Sequence, residues 1–161
     1  MADHLSELHH ALRERGHTMS TAESLTGGEL AATLTSLPGS STVFLGGVVT
    51  YATELKRQLL GVTAPRVISA ICAEQMATGI RELTGADWGL STTGVAGPDQ
   101  QEGEPVGTVF IAIASASEVT TNQLKLNIPA GGDQRALIRR ETCSAATRLL
   151  LELVRSQASR P

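Results

Sequence analysis

Aromatic residues are scarce in this sequence, which has one tryptophan, one tyrosine and two phenylalanines among its 161 residues. Proteins that bind single-stranded nucleic acids stack bases on aromatic side chains, and most nucleic-acid surfaces are strongly basic. The formal net charge of -3 has the opposite sign. We therefore expect no nucleic-acid partner and a core of aliphatic side chains, and the single tyrosine, Tyr51, becomes a residue of interest.

Long apolar runs are also missing, and the N-terminal residues 1–8 are charged, without the apolar centre of a secretory signal. These features predict a cytoplasmic protein that does not associate with membranes. The two cysteines, Cys72 and Cys143, lie far apart in helix-like segments, where we expect buried, reduced thiols. All four histidines fall within residues 4–17 without a metal-ligand motif, so we predict solvated histidines and no metal site.

The hydrophobic periodicity predicts one domain, residues 1–161, that contains both helices and strands. The predicted helices cover residues 3–15, 29–34, 53–60, 69–83 and 133–154. The predicted strands cover residues 17–22, a stretch ending at Tyr51, and residues 87–92, 106–114 and 119–128. This order of elements is typical of an α/β sandwich with a mixed sheet.

A glycine-rich turn at residues 23–28 follows the first predicted strand and precedes a helix. This arrangement aims backbone N–H groups and the helix dipole at an anion, commonly a phosphate. It makes Ser24, Thr26 and Gly27 candidate substrate contacts. The alternative interpretation is an ordinary helix N-cap, formed by Ser24 or Thr26, with glycines that allow close packing.

A second glycine-rich turn at residues 93–98 follows the strand at 87–92 and leads into a polar loop at residues 99–105. Open α/β sheets bind ligands at the carboxyl ends of their strands. We therefore expect Thr93 and the N–H groups from Gly94 onwards to contact an oxyanion or the substrate. The loop, bracketed by proline and glycine, is expected to be mobile over that site.

Residues 39–56 contain the groups of a serine hydrolase without histidine. A Gly-Ser-Ser turn exposes the hydroxyls of Ser40 and Ser41. An apolar strand then ends at Tyr51, and Lys56 follows in the first turn of a helix. A serine needs a base to become a nucleophile, and lysine is suitable where burial or the helix dipole lowers its pKa. The alternative is a solvated lysine and a tyrosine hydroxyl in water.

Together these motifs resemble the CinA C-terminal domain family over essentially the whole chain. The matching motifs are Thr21–Gly28, Gly39-Ser40-Ser41, Val49-Thr50-Tyr51 with Lys56, Thr93–Pro98 and Pro105–Val109. The resemblance implies a three-layer α/β/α sandwich with a mixed sheet, commonly dimeric. It also implies an amidohydrolase of pyridine-nucleotide salvage in NAD metabolism. The family reaction converts the carboxamide of nicotinamide mononucleotide (NMN) to nicotinate mononucleotide and ammonia, without a metal or cofactor.

By the same resemblance, the catalytic residues are Ser41 as nucleophile, Lys56 as base and Tyr51 as the hydrogen-bonding partner of the lysine. Arg135 corresponds to the family arginine at the start of the last helix, with Arg139 as the alternative. Larger family members carry an N-terminal molybdopterin-binding-like domain that this sequence does not contain. We therefore expect none of the pyrophosphatase activity attributed to that domain.

Two positions depart from the family pattern: Leu25 replaces the usual cysteine, and Tyr51-Ala52-Thr53-Glu54 replaces Tyr-Ser-Asn-Glu. The second change removes an asparagine side chain near the site. Two alternative functions stay open. One is a non-catalytic or regulatory nucleotide-binding module, and the other is a Ser-Lys amidase that acts on another phosphorylated amide.

Overall fold

The computed structural model describes residues 2–129 and 132–157 and contains the predicted elements in the predicted order. The helices are α1 (Ala2–Arg15), α2 (Glu29–Thr35), α3 (Thr53–Leu60), α4 (Ala70–Thr84) and α5 (Gln134–Gln157). The strands are β1 (Met19–Glu23), β2 (Phe44–Val49), β3 (Trp88–Gly94), β4 (Thr108–Ala114) and β5 (Val119–Lys125). A short 3-10 turn, Ser40–Thr42, precedes β2.

The strands form one mixed sheet in the order β2-β1-β3-β4-β5. β1 pairs in parallel with β2 and with β3, whereas β4 runs antiparallel to both β3 and β5. A parallel pair needs a crossover connection. The chain supplies one with α2 between β1 and β2, and another with α3 and α4 between β2 and β3. The carboxyl ends of β1, β2 and β3 therefore meet at one end of the sheet.

Helices cover both faces of this sheet, which confirms the three-layer α/β/α sandwich. On one face, leucines of α1, α2 and α5 form a core with side chains of β3 and β4. On the other face, α3 and α4 enclose a smaller core that includes Leu60, Met76 and Ile80. Burial of aliphatic surface stabilises the fold by roughly 25 cal/mol per Å², so a core can form with very few aromatic residues.

Close approach of α3 to α4 helps to place the lysine of α3 inside the protein. A Cβ built on Gly79 of α4 would lie 2.3 Å from the carbonyl oxygen of Leu60, at the end of α3. Any larger residue at position 79 would push the two helices apart. This contact holds α3 in place, and Lys56 is only 1 % exposed.

The cysteine prediction is confirmed, because Cys72 and Cys143 are both buried free thiols. The prediction of solvated histidines is wrong for His9 on α1. This side chain is 1 % exposed, and neither ring nitrogen has a hydrogen-bond partner. Burial, together with the charge of Arg13, lowers the pKa of His9, so the buried ring is neutral at neutral pH.

Candidate active site

A pocket opens at the carboxyl ends of the three parallel strands, where open α/β sheets bind ligands. Its wall includes Ser24 after β1, Tyr51 after β2 and Gly94 at the end of β3. The cavity has a volume of about 130 Å³. The remaining lining residues are Leu25, Thr53, Lys56, Val67, Ile68, Val95, Ala96, Gly97, Asp99, Gln101 and Arg135.

Lys56 extends from the first half of α3 into this pocket and is the centre of a hydrogen-bond cluster. Its Nζ atom lies 3.0 Å from Ser24 Oγ and 3.3 Å from the Tyr51 carbonyl oxygen. It also contacts the Thr50 carbonyl oxygen. Carbonyl oxygens can only accept hydrogen bonds. A neutral amine would therefore donate its two N–H groups to the carbonyls and turn its lone pair to the Ser24 hydroxyl.

Burial lowers the pKa of Lys56 from its ordinary value, because the ammonium form loses more hydration than the neutral amine does. Two anionic groups, the thiolate form of Cys72 and the carboxylate of Glu102, oppose this shift by favouring the charged amine. Burial is the larger effect, so the net direction is downward. Lys56 thus gives up its proton more easily than a lysine in water, which suits a general base.

The sheet positions the backbone of Ser24. It follows β1 directly, and its N–H donates to the Thr92 carbonyl oxygen of β3 at 3.0 Å. This bond extends the parallel pairing of β1 with β3 by one residue. The sequence predicts Ser24 only as a substrate contact, whereas the structure makes it the serine in contact with Lys56.

Ser41 does not contact Lys56 within one chain, where the Lys56 amine binds Ser24, Thr50 and Tyr51 instead. Ser41 lies exposed in the 3-10 turn before β2, whereas Lys56 follows the other end of that strand. At roughly 3.3 Å per residue, the strand separates its two ends by about 17 Å. The neighbouring Ser40 is buried and donates to the carbonyl oxygens of Leu34 and Leu37, so this turn closes the end of α2.

The first glycine-rich turn does not offer its N–H groups to the pocket. The buried carboxylate of Glu23 accepts hydrogen bonds from the N–H groups of Gly28, Leu30 and Ala31, at 2.8–3.0 Å. An anion belonging to the chain itself therefore occupies the N-terminus of α2. This corrects the prediction of a phosphate site there.

Thr26 and Gly27 lie outside the pocket. The Thr26 hydroxyl is hydrogen-bonded to the Thr92 hydroxyl at 2.8 Å, and the Thr26 carbonyl accepts from Nε and Nη2 of Arg139. Arg139 also forms an ion pair with Glu29 at 3.3 Å. Gly27 has a φ of 58°, which favours glycine at this tight turn. Neither candidate substrate contact lines the pocket: Thr26 connects the turn before α2 to β3 and α5, and Gly27 forms the turn itself.

The second glycine-rich turn contributes its main chain to the pocket, but not the Thr93 hydroxyl. Thr93 is fully buried, and its Oγ1 donates to the Val67 carbonyl oxygen at 2.6 Å. Thr93 therefore positions the segment before α4, which corrects its assignment as a direct substrate contact. Gly94 does line the pocket. A Cβ there would lie 2.5 Å from the Thr108 carbonyl oxygen, so this close approach to β4 requires glycine.

Tyr51 and Arg135 form one wall of the pocket. The Tyr51 phenol accepts a hydrogen bond from Arg135 Nη2 at 2.8 Å, and Arg135 Nη1 donates to the Gly97 carbonyl oxygen. Lys56 binds the main chain of Tyr51 and not its phenol, which corrects the predicted contact between the two side chains. Of the two candidate arginines, Arg135 lines the pocket and Arg139 does not.

Four polar residues at or near the site escape prediction from the sequence: Glu23, Asp99, Gln101 and Glu102. Asp99 and Gln101 line the pocket, and Glu102 acts on the charge of Lys56. The hydrophilic loop at 99–105 indicates a border of the site, but its composition does not show which side chains turn inwards. Glu23 has a clearer signal, since an acidic residue before a glycine-rich helix start suits the helix dipole.

Neither a metal cluster nor a membrane helix is found in the part of the chain that the structure describes. Among residues 2–129 and 132–157, no three His, Cys, Asp or Glu side chains are grouped so that they could hold a metal ion. No helix in these ranges is long and apolar enough to cross a membrane.

The fold and the pocket define a class of protein: a three-layer α/β/α domain in which a buried lysine contacts a serine at the carboxyl ends of parallel strands. Residues 2–154 match the family model described as the CinA C-terminal domain. The chain belongs to this family.

Curated relatives carry names of the same family. The chain is 49 % identical over 121 residues to a CinA-like protein of Synechococcus sp., covering 71 % of this chain and 29 % of that protein. It is 40 % identical over 155 residues to a Bacillus velezensis protein named as competence-damage inducible, covering 93 % of this chain and 36 % of that protein. The chain thus spans about a third of the length of these relatives.

Solved structures share the fold over nearly the whole chain. A CinA superfamily protein from Klebsiella pneumoniae has a TM-score of 0.88 and 32 % identity, with 96 % of this chain and 97 % of that chain covered. The competence/damage inducible protein CihA from Agrobacterium tumefaciens has a TM-score of 0.82 and 32 % identity, with 94 % and 95 % covered. These names state the family and do not state a reaction.

Proposed function

We propose that this protein hydrolyses the carboxamide of NMN to nicotinate mononucleotide and ammonia, with Ser24 as the nucleophile and Lys56 as the base. The observation that carries the proposal is the 3.0 Å contact between Lys56 Nζ and Ser24 Oγ. The amine that makes this contact is 1 % exposed and lines the pocket. The choice of an amide substrate rests on the family resemblance, which implies an amidohydrolase, and the family match supports that choice without naming a reaction.

In the first step, the neutral amine of Lys56 removes the proton of the Ser24 hydroxyl, and the serine oxygen attacks the carboxamide carbon. The π electrons of the carbonyl move to its oxygen, which gives a tetrahedral oxyanion. When this intermediate collapses, the C–N bond breaks and the leaving nitrogen takes the proton from the Lys56 ammonium. Ammonia leaves, an ester on Ser24 remains, and Lys56 is neutral again.

Water completes the reaction by the same route. Lys56 takes a proton from a water molecule, whose oxygen attacks the ester carbon. Collapse of the second intermediate breaks the bond to Ser24 Oγ, which regains a proton from Lys56. Nicotinate mononucleotide and the free enzyme result. Every proton in these steps moves between Lys56, Ser24, the amide nitrogen and water.

Main-chain N–H groups around the pocket are the proposed donors for the oxyanion. Ala96 and Gly97 of the second glycine-rich turn line the pocket. The Val95 N–H is already bound to the Thr108 carbonyl oxygen at 2.8 Å and is not available. Donors held by the sheet need no reorganisation when the negative charge develops, and one such donor typically contributes about 3 kcal/mol.

Tyr51 and Arg135 suit a phosphorylated pyridinium nucleotide. A guanidinium binds phosphate through two parallel N–H bonds, and Arg135 is exposed where it lines the pocket. The nicotinamide ring of NMN carries a positive charge, which favours contact with the face of the Tyr51 ring. The hydrogen bond between Arg135 and the Tyr51 phenol fixes the spacing of the two side chains before the substrate binds.

Incubation of the purified protein with NMN and a metal chelator tests the proposal. We expect ammonia and nicotinate mononucleotide in equal amounts, measured by a coupled ammonia assay and by chromatography. Nicotinamide and nicotinamide riboside carry the same carboxamide without the phosphate, and these matched controls should react at least about tenfold more slowly. Binding of NMN without ammonia release would instead identify a non-catalytic nucleotide-binding module. Release only from another phosphorylated amide would change the substrate.

We further propose that the protein is a homodimer that pairs through the free edge formed by β2 and α3. β2 is the outermost strand of the sheet, with β1 as its neighbour. Five large side chains along this edge are 40–59 % exposed: Leu45, Val49, Tyr51, Leu55 and Leu59. Exposed large apolar side chains are typical of interfaces, and an uncovered strand edge can pair with a strand of another chain.

Replacing Leu59 by glutamate is expected to convert the dimer to a monomer, because the interface would have to bury an unpaired charge. Light scattering checks this, since the native protein should have twice the mass of one chain and the variant the mass of one. Leu83→Glu is the matched control, because Leu83 is a similarly exposed leucine on α4, and this variant should stay dimeric. A native protein with the mass of one chain would contradict the proposed dimer.

A further inference from the structure

The strap, residues 98–105, connects the turn after β3 to the segment before β4 and ends in a tight hairpin. Gln101 and Glu104 exchange two backbone hydrogen bonds of 3.3 and 2.9 Å around the pair Glu102-Gly103. Both residues of this pair have positive φ, 52° and 78°. Hairpin turns of this kind favour asparagine, aspartate or glycine at the first position.

Glu102 is strained at this position. It is the one non-glycine residue with positive φ within residues 2–129 and 132–157. A long side chain in the left-handed region is disfavoured by steric contacts with its own backbone. Strain of this kind persists where the surrounding contacts over-determine the conformation, so the contacts of the Glu102 side chain are informative.

The Glu102 carboxylate fastens the strap to the segment before α4. Its two oxygens accept hydrogen bonds from the N–H groups of Val67 and Ile68, at 3.2 and 2.9 Å. Arg66 strengthens the attachment, since its Nη2 donates to the Glu102 carbonyl oxygen at 2.7 Å and to Glu104 Oε1 at 2.9 Å. Val67 and Ile68 line the pocket, so these hydrogen bonds attach the strap to the pocket wall. The loop that the sequence predicts to be mobile is therefore attached at its tip.

The ionisable side chains around Lys56 come from four parts of the chain. They are Cys72 of α4, Glu102 and Asp99 of the strap, Arg135 of α5, and Tyr51 after β2. Burial raises the pKa of Cys72 to about 11, so this thiol is neutral near neutral pH. Of the two groups that favour a charged Lys56, Cys72 therefore contributes no negative charge near neutral pH, which leaves Glu102.

We propose that Glu102 is a positioning residue for the Ser24–Lys56 pair, whose carboxylate fastens the strap to Val67 and Ile68 and so puts a negative charge at the wall of the pocket that Lys56 also lines. This rests on the proposed function, in which Lys56 must first accept the Ser24 proton. The charge stabilises the ammonium that forms in that step, so it makes Lys56 a stronger base than burial alone would leave it. Substitution of Glu102 should weaken the base and at the same time lower the pH at which it becomes neutral.

The pKa of Lys56, measured by NMR titration of the lysine signals, tests this inference whether or not the protein is catalytically active. Lys56 and Lys125 are the two lysines of the sequence, so a protein labelled with ¹³C at lysine Cε gives two signals, and Lys125→Arg assigns them. Glu102→Gln keeps an oxygen that can accept a hydrogen bond but removes the charge. The Lys56 pKa should fall in this variant, by less than a fully buried opposite charge would cause, because Glu102 also faces solvent.

Glu104→Gln is the matched control, since Glu104 lies on the same strap and binds Arg66 but does not act on Lys56. The Lys56 titration should be unchanged in this variant. An unchanged Lys56 titration in Glu102→Gln, or an equal fall in both variants, would overturn the inference.

The pH dependence of ammonia release then connects the inference to catalysis. In Glu102→Gln the acid limb of the kcat/KM profile should move to lower pH by the same amount as the NMR titration, and the plateau of kcat should fall. A shifted NMR titration in a protein that releases no ammonia from any substrate would overturn the amidase proposal and leave the role of Glu102 beside Lys56 intact. An active protein whose profile does not move would overturn the role of Glu102.

Discussion

Replacing Ser24 by alanine is expected to abolish ammonia release from NMN, with a fall in kcat of about three orders of magnitude or more. The substitution removes the hydroxyl that lies 3.0 Å from the Lys56 amine, so the acyl-enzyme cannot form. Ser41→Ala is the matched comparison, because Ser41 is the serine that the sequence resemblance favours. This variant should keep native kcat, since within one chain its hydroxyl lies at the opposite end of β2. Loss of activity in Ser41→Ala as well would show that Ser41 reaches a pocket across the proposed dimer.

Two controls make the Ser24 result specific. Calorimetric titration with NMN should show that Ser24→Ala still binds the nucleotide, because the wall formed by Tyr51 and Arg135 is unchanged. Circular dichroism and thermal unfolding should show a native fold, since the Ser24 N–H bond to β3 does not depend on the side chain. An active Ser24→Ala together with an inactive Ser41→Ala would return the role of nucleophile to Ser41.

Ser24 and Ser41 show why the sequence predicts which helices and strands border the site better than it predicts which side chains meet there. Ser41 is close to Tyr51 and Lys56 along the chain, and it is joined to them by an extended strand that holds them apart. Ser24 is more distant in sequence, but the parallel pairing of Glu23 with Val49 brings the ends of β1 and β2 together. Contacts across parallel strands depend on strand order, which hydrophobic periodicity does not encode.

Three of the candidate residues that line the pocket are positioned by local signals in the sequence. Lys56 follows a strand and lies in a helix that the sequence marks clearly, and Gly94 ends a strand in a glycine-rich turn. Arg135 is favoured over Arg139 only by the family motif, and the structure places it at the pocket. The sequence around each of these residues is enough to place it near the pocket, because each is positioned by the helix or strand in which it lies.

Glu23 and Thr93 differ from the sequence-based expectation because of the direction in which each side chain points. Glu23 turns its carboxylate onto the N–H groups of α2, which removes the anion site that the glycine-rich turn predicts. The Thr93 hydroxyl turns to the Val67 carbonyl oxygen and away from a ligand role. A buried carboxylate or hydroxyl must find a partner, but the sequence does not show whether that partner belongs to the chain or to a substrate.

Replacing Lys56 by methionine or by arginine is also expected to lower kcat, by about two to four orders of magnitude. Methionine fills a similar volume without a base. Arginine keeps a charge and its donors, but its guanidinium stays protonated at any working pH and cannot accept the Ser24 proton. Lys125→Met removes the other lysine of the sequence, which lies on β5 outside the pocket, and it should keep native kcat. Activity in Lys56→Arg close to that of the native protein would show that Lys56 is not the base.

The pH dependence of kcat/KM in the native protein shows whether the pocket raises or lowers the pKa of Lys56. Lys56 acts in its neutral form, so activity should rise with pH through the lysine pKa of the free enzyme and level off above it. Because burial lowers that pKa, the midpoint should lie below the ordinary lysine value. Tyr51→Phe removes the phenol from the pocket wall and should keep the native midpoint. A midpoint at or above the ordinary lysine value would mean that the pocket favours the ammonium form, and the amine could not then serve as the base near neutral pH.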